Sequence, residues 1–295
     1  MKTNKPPLSP LVYFHADLDG IVSYLTLCWY LNQKLEYVAT TTGRLKEDWS
    51  KHKHRDSKIY FLDLDVSSIG EEIDRKGVFI FDHHKTNSYE YINAVPFIYN
   101  ETSCSKLIHN TLSKVKSVKL TNAQKTLIAL ADDVDSYTNA TPISNDLNIV
   151  YHNTHKKVES FIEDYWDGFK PFDKYKLNII SSYKRRLKEH LKALSLFKSN
   201  KGIVIDGKEY SAGAVFSEDF IQESSEYVFK KLPVDIAIVV MISKNRIAVR
   251  RNRLNDTADV SKFVQEIANG GGHEAAAGGE LTKEFMELAK TFSPC

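Results

Sequence analysis

Cysteine is scarce in this chain of 295 residues: Cys28, Cys104 and Cys295 stand far apart and form no CxxC pair. That excludes a disulfide-stapled scaffold and a thiolate zinc site, and it leads to the expectation of a reducing, cytoplasmic setting. Long hydrophobic runs are missing too. The longest, residues 236–242, falls far short of the ~20 residues a membrane-spanning helix needs, so no membrane partner is expected. No apolar stretch precedes the prolines of the opening "MKTNKPPLSP", and a secretory signal is therefore not expected. A dominant charge is also absent, because 40 basic and 38 acidic side chains leave a formal net charge of +2. No strong overall field then gathers nucleic acid or an anionic membrane, and any basic surface has to be local.

What is present describes a globular protein. Hydrophobic residues make up 42% and charged residues 26%, enough for a real core, and the length allows two domains. Apolar, strand-like runs at 10–14 ("PLVYF"), 58–63 ("KIYFLD") and 77–82 ("GVFIFD") alternate with helical patterns at 20–33 and 121–134. Such interleaving predicts a mostly parallel sheet covered on both faces, with ligands beyond the carboxyl ends of its strands. From about 169 to 200 the chain turns basic and helical, and "KRRLKEHLK" (184–192) reads either as a solvated face or as the lining of a cleft. Strand-like runs follow at 202–205, 212–216, 235–242 and 246–250, with helical patterns at 218–231 and 257–268, then "NGGGHEAAAGG" at 269–279. We expect an α/β chain of two domains: a parallel-sheet domain over 8–170, a connecting helix over 171–200 and a smaller α/β domain over 201–292.

Acids and imidazoles stand where these elements end. "LVYF" runs into His15, Asp17 and Asp19; "IYFL" into Asp63, with Asp65 two on; "FIF" into Asp82, His83 and His84. The helix "TLIALA" leads into Asp132, Asp133 and Asp135. One aspartate at a strand end is ordinarily a turn former or a helix cap. Several crowded at one sheet edge repel one another and stay ionised only beside cations. Carboxylates and imidazoles without thiolates suit Mn²⁺ or Mg²⁺. Paired ions about 3.5–4 Å apart serve phosphoester hydrolysis, and a histidine next to a ligating one can hold the phosphate. Further on, Gly270, Gly271 and Gly272 let backbone N–H groups approach an anion, with His273 adding a hydrogen bond. A helix starting near Glu274 would add its positive end.

In that order, "HADLDG", the acid after "IYFL", "DHH" and "DDVDSY" resemble the successive motifs of the DHH phosphoesterase family. "NGGGHEAAAGG" resembles the GGGH signature of its C-terminal partner domain, DHHA1. The resemblance runs from about residue 8 to 279. It implies a DHH domain followed by a DHHA1 domain, with two Mn²⁺ ions, Mg²⁺ being an alternative. His15, Asp17 and Asp19 would supply metal ligands. Asp63 would bridge the ions, with Asp65 as fallback, and His83 would ligate metal. His84 would contact the scissile phosphate, and Asp82 would assist catalysis by orienting its neighbours. For the fourth motif the choice is Asp133, with Asp132 and Asp135 as competitors. "IAVRRN" stands where the family has a strand like "SLRS", so Arg250 would grip substrate, though Ala248 and Arg251 replace the serines. The resemblance points to a phosphodiesterase that degrades short RNA or DNA oligonucleotides to mononucleotides, the second domain holding the substrate end. A phosphatase of 3′-phosphoadenosine 5′-phosphate or a dinucleotide phosphodiesterase, linear or cyclic, is the alternative. A catalytically silent nucleic-acid-binding protein is the third reading, and a homodimer stays open. Tyr89, Phe97 and Tyr137 could stack on bases or belong to the core.

Overall fold

The computed structural model describes residues 9–84, 86–136, 138, 140–255 and 257–295, and of His273 the backbone only. The chain divides between Ser182 and Tyr183 into two compact units. The first begins with β1 (Leu11–His15), α1 (Leu18–Leu31), β2 (Glu36–Thr40), α2 (Leu45–Ser50), β3 (Ile59–Leu62), α3 (Gly70–Ile73), β4 (Val78–Asp82) and β5 (Val95–Ile98). It continues through α4 (Cys104–Leu112), α5 (Asn122–Asp135), α6 (Pro142–Asn153) and α7 (Lys157–Tyr165). The five strands form one sheet in the order β2-β1-β3-β4-β5, and every pair in it is parallel.

Alternation along β1 explains why both faces are covered. Val12 and Phe14 join a core with Ile21, Leu25, Leu127 and Ile128, from α1 and α5. Leu11 and Tyr13 face the other way, onto Leu45, Trp49, Phe61 and Ile80. Side chains at period two point to opposite faces, and a parallel strand buried on both reads as an unbroken apolar run. In this order the chain passes from β1 outward to β2 and returns to β3, which makes a topological switch point between β1 and β3. Crevices beyond the carboxyl ends of the strands at such points are where open α/β sheets bind ligands. His15 ends β1, Asp63 follows β3 and Asp82 ends β4.

Helix α8 (Lys174–Ala193) contains the division between the units. It is shorter than the helix expected over 171–200, because residues 196–199 form a strand of the second unit. That unit contains β6 (Leu196–Ser199), β7 (Ile203–Ile205), β8 (Lys208–Tyr210), β9 (Ala212–Phe216), α9 (Ile221–Lys231), β10 (Ile236–Met241) and β11 (Arg246–Arg251). Then come α10 (Val260–Ile267), β12 (Gly271–His273), β13 (Ala276–Glu280), α11 (Lys283–Ala289) and β14 (Phe292–Pro294). Seven strands form a mixed sheet, β12-β13-β11-β10-β9-β6-β14, and β7 and β8 pair as a separate hairpin. Among the described residues no helix is long and apolar enough to cross a membrane.

Candidate metal centre

The β1–α1 junction is built around one close approach. Asp17 caps α1 in extended conformation, its Oδ1 accepting the Gly20 N–H at 2.9 Å, while its Oδ2 meets His15 Nδ1 at 2.5 Å. A Cβ on Gly20 would lie 2.1 Å from the His15 carbonyl oxygen, so only glycine lets the helix start against the strand end. Burial pushes the Asp17 carboxyl up, but hydrogen bonds from His15 and from the Gly20 amide outweigh it and hold the group below its ordinary value.

Asp19 sits in the first turn of α1 and is 2% exposed. Cys104 N–H donates to its Oδ2 at 2.7 Å, and the Ser105 N–H and hydroxyl donate to its Oδ1 at 3.1 and 2.5 Å. The N-terminus of α4 is thus pinned to this carboxylate. Three of about four acceptor positions on a carboxylate are taken, which leaves one for a cation. Burial chiefly, with the neighbouring Asp17 adding to it, pushes Asp19 up to about 6.

Asp63 is the centre of the arrangement. It is 3% exposed, and its backbone lies in the left-handed region at φ 58°, a conformation that costs a non-glycine residue on the order of 1 kcal/mol or more. Its Oδ1 is 3.2 Å from His83 Nε2 and its Oδ2 4.0 Å from His15 Nδ1. Burial, then repulsion from Asp17, Asp19, Asp135 and Asp82, raises its carboxyl well above the ordinary range. His83 Nε2 also lies 3.3 Å from Asp135 Oδ2. Burial, with Asp19 and Asp17 nearby, pushes Asp135 up to about 8.

Among the described residues, potential ligand atoms gather within 4.8 Å of one another in three sets: His15 with Asp17 and Asp63, Asp63 with His83 and His84, and Asp19 with His83 and Asp135. Asp63 belongs to the first two and His83 to the last two. A donor set of carboxylates and imidazoles, whose acids are pushed toward protonation by one another, fits hard or borderline divalent cations such as Mn²⁺ or Mg²⁺.

The Asp-His-His turn is organised by its acid. Asp82 is fully buried and accepts from the His83 N–H at 2.9 Å, the His84 N–H at 3.3 Å and His84 Nδ1–H at 2.6 Å, while Asn87 Nδ2 donates to it at 2.8 Å. Asn87 in turn donates to the Leu64 carbonyl, behind Asp63. Burial works against a charged imidazole at His84, but the Asp82 hydrogen bond and nearby carboxylates outweigh it and raise its pKa. The Asp82 hydrogen bond to Nδ1 fixes the orientation of the His84 ring.

The acids of the fourth motif take different places. The structure brings Asp135 to the cluster and not Asp133. Asp133 accepts hydrogen bonds from the Thr138 and Ser144 hydroxyls and from the Ala140 and Thr141 N–H groups, at 2.7 and 3.1 Å for the amides. Burial disfavours its charge, yet these donors prevail and hold its carboxyl far below the ordinary range. Asp132 meets Thr102 and Lys106, and Asp65 accepts from the Ser67 N–H. Asn87, Ser105 and the α4 N-terminus were not anticipated. Their signals were an asparagine three residues after His84 and the cap-like Ser103 before "CSK".

In the second unit Arg250 and the glycine run share adjoining strands. Arg250 on β11 is paired with Ala276 on β13, which faces His273 on β12. Arg250 Nε donates to Gln222 Oε1 at 3.2 Å, and Nη1 donates to the Val249 and Ala277 carbonyls at 3.0 and 3.4 Å. The helix expected from Glu274 is absent from this stretch, because the chain turns back there and β12 pairs antiparallel with β13. Gly272, at φ 149°, adopts backbone that favours glycine, and a Cβ there would meet the Ala276 oxygen at 2.5 Å. Gly270 and Gly271 stand beside it, and the His273 side chain lies outside the described residues, as does Tyr137. Phe97 stacks on Phe81 and Tyr89 packs on Gly70, so both serve packing.

No family model matches the chain, and no curated protein matches its sequence. Solved structures do. PggH from Vibrio cholerae, described as a pGpG-specific phosphodiesterase, superposes with a TM-score of 0.60 at 13% identity, over 96% of each chain. A DHH domain described as belonging to a family of ribosomal proteins gives 0.62 at 12% identity, over 96% of this chain and 85% of that one. The chain has the DHH-domain fold. Exonuclease RecJ bound to manganese shares this fold, with a TM-score of 0.56 at 11% identity over 96% of this chain and 88% of that one. In the present DHH-domain fold His15, Asp17, Asp19, Asp63, His83, His84 and Asp135 converge at the carboxyl edge of the first sheet.

Proposed function

We propose that the chain is a metal-dependent phosphodiesterase that hydrolyses short oligonucleotides, with dinucleotides at the centre of its range. The observation that carries this reading is the sharing of Asp63 and His83 among sets of ligand atoms at one sheet edge. His15, Asp17 and Asp63 would hold one cation, and Asp63, Asp19, His83 and Asp135 a second. Bound there, such ions supply an activated water and offset negative charge on the phosphate. The chain's own groups do the rest. Asp82 holds His84 Nδ1 and so orients the ring that would contact a phosphate oxygen. The Asn87 amide fixes Asp82, and the left-handed backbone of Asp63 directs its carboxylate between His15 and His83. The rigid strands behind them preorganise the set. The fold shared with a pGpG-specific phosphodiesterase over 96% of both chains favours short linear substrates.

The test is a substrate panel with the purified protein and Mn²⁺: di- to pentanucleotides of RNA and DNA, a long oligomer, 3′-phosphoadenosine 5′-phosphate and cyclic dinucleotides. We expect turnover of the short linear substrates, and its loss in Asp63→Ala and His83→Ala. Preference for a cyclic substrate or a phosphomonoester would overturn the choice of substrate, and nucleic-acid binding indifferent to both substitutions would overturn catalysis.

A further inference from the structure

The first unit holds a cavity of about 390 Å³ that no step above uses. It opens between the end of α1, the start of α5 and the chain just beyond α7. Helix α1 has Asp19 in its first turn and the cavity at its last, and at about 1.5 Å per residue the two lie roughly 20 Å apart. Helix α5 runs the opposite way, from the cavity to Asp135. The walls are tied to one another. Trp29 Nε1 donates to the Trp166 carbonyl at 2.6 Å, and the Phe169 N–H donates to the Ala123 carbonyl at 2.9 Å. Between these two bonds Gly168 turns at φ 101°, where a Cβ would lie 2.4 Å from the Ala123 carbonyl carbon. The cavity is therefore preformed, and its volume falls within the ~300–1,000 Å³ of small-molecule sites.

We propose that this cavity binds a nucleoside monophosphate, at a site separate from the metal centre. The lining gives the chemistry of the ligand. Trp29 and Trp166 offer indoles to a flat ring. Lys34 and Lys119 line the same space, and neither has a hydrogen-bond or ion-pair partner among the described residues, so both charges are available to an anion. Asp167 is the one carboxylate of the lining set against them. The carboxamides of Asn32 and Gln33 are equally uncommitted, and each can both donate and accept at the edge of a heterocycle. The α5 N-terminus is not what holds the anion, because Thr121 and Gln124 close it with their own capping box at 2.9 and 3.2 Å. A flat ring with polar edges and one anionic group describes a nucleotide, and the volume suits a single one. The site stands without the phosphodiesterase reading, since none of its residues belongs to the metal centre.

The experiment titrates the full chain, stripped of metal with a chelator, with AMP, GMP, CMP and UMP, and with adenosine and inorganic phosphate as controls. Tryptophan fluorescence reports occupancy, because Trp29 and Trp166 line the cavity while Trp49 is buried in the other core. Equilibrium dialysis gives the Kd independently. At least one monophosphate should bind saturably, and its nucleoside and phosphate alone should bind roughly tenfold more weakly or worse. The exposed pair changed together, Lys34→Gln with Lys119→Gln, should weaken the monophosphate by a similar factor and leave adenosine unchanged. Val118→Trp, placed at the half-buried rim, should block nucleotide and nucleoside alike. Asp63→Ala should leave binding as in wild type. No saturable binding of any of the four, a nucleoside bound as tightly as its monophosphate, or binding that survives the double lysine change would each overturn the proposal. So would binding that disappears in Asp63→Ala, which would return the nucleotide to the metal centre.

Discussion

Asp133 and Asp135 stand two residues apart on one helix and have opposite duties. At about 100° per residue, side chains two apart diverge by roughly 200°, whereas Asp132 and Asp135, three apart, share a face. Asp135 therefore meets His83, and Asp133 turns to the donors around the start of α6. Replacing Asp133 by Asn disturbs donors that need an acceptor, and it should lower stability by about 1–3 kcal/mol while folded protein keeps its turnover. Replacing Asp135 by Asn should reduce activity by more than the ~10–100-fold typical of an outer-shell partner, and it should weaken the thermal stabilisation given by Mn²⁺. Melting curves with and without Mn²⁺, beside turnover on the short substrates, separate the two residues. The reverse pattern would return the ligand role to Asp133. The sequence shows three acids in four positions and a helical period, but which face of α5 looks toward β4 is decided by packing far away in the chain. Asp63 and the Asp-His-His turn were legible because each directly follows an apolar strand.

Elements place these residues through their junctions, and the tightest is β1 to α1. The chain leaves the strand at His15, caps the helix with Asp17 and buries Asp19 within one turn, which requires Gly20 against the His15 carbonyl. Gly20→Ala forces strand and helix apart. We expect a loss of about 1–3 kcal/mol, as for overpacking, together with weaker Mn²⁺ affinity, because His15 and Asp17 move relative to Asp63. Denaturant unfolding and a Mn²⁺ titration would show both effects, and wild-type Mn²⁺ affinity in the Gly20→Ala variant would refute this account of the junction. Elements buried on both faces, such as β1, β3, β4 and β10, were legible as apolar runs. Sheet edges were not. β2 contains Glu36 and is partly exposed, and β5 contains Pro96 on a strand with a single neighbour. Charges and proline at edges hide the strand pattern while guarding against aggregation. The helix expected near Glu274 fails for a related reason: a glycine run fits a helix start or a tight hairpin equally well, and pairing with β13 decides between them.

At the scale of the molecule, the near balance of charge conceals a local excess of acid. Asp63, Asp135 and Asp19 are all raised, Asp135 to about 8 and Asp19 to about 6 from an ordinary 3.8, by burial first and mutual repulsion second. A carboxyl raised in the folded state binds more protons folded than unfolded across that interval. The slope of unfolding free energy with pH follows the protons bound unfolded minus those bound folded, which is negative here, so stability falls as pH rises from about 4 to 8. His84, also raised, adds to the fall once pH passes its unfolded value. Asp17 and Asp133 are lowered, so they act only in more acidic solution. Cations that bind the folded cluster oppose this trend, because they compete with protons for the same oxygens and gain as protons leave. Protein stripped with a chelator should therefore melt at higher temperature at pH 5 than at pH 8. The increase in melting temperature on adding Mn²⁺ should be larger at pH 8 than at pH 5. Parallel melts at the two pH values, with chelator and with Mn²⁺, measure both. A chelated protein that gains stability toward pH 8 would mean that these carboxylates are not crowded as the fold places them.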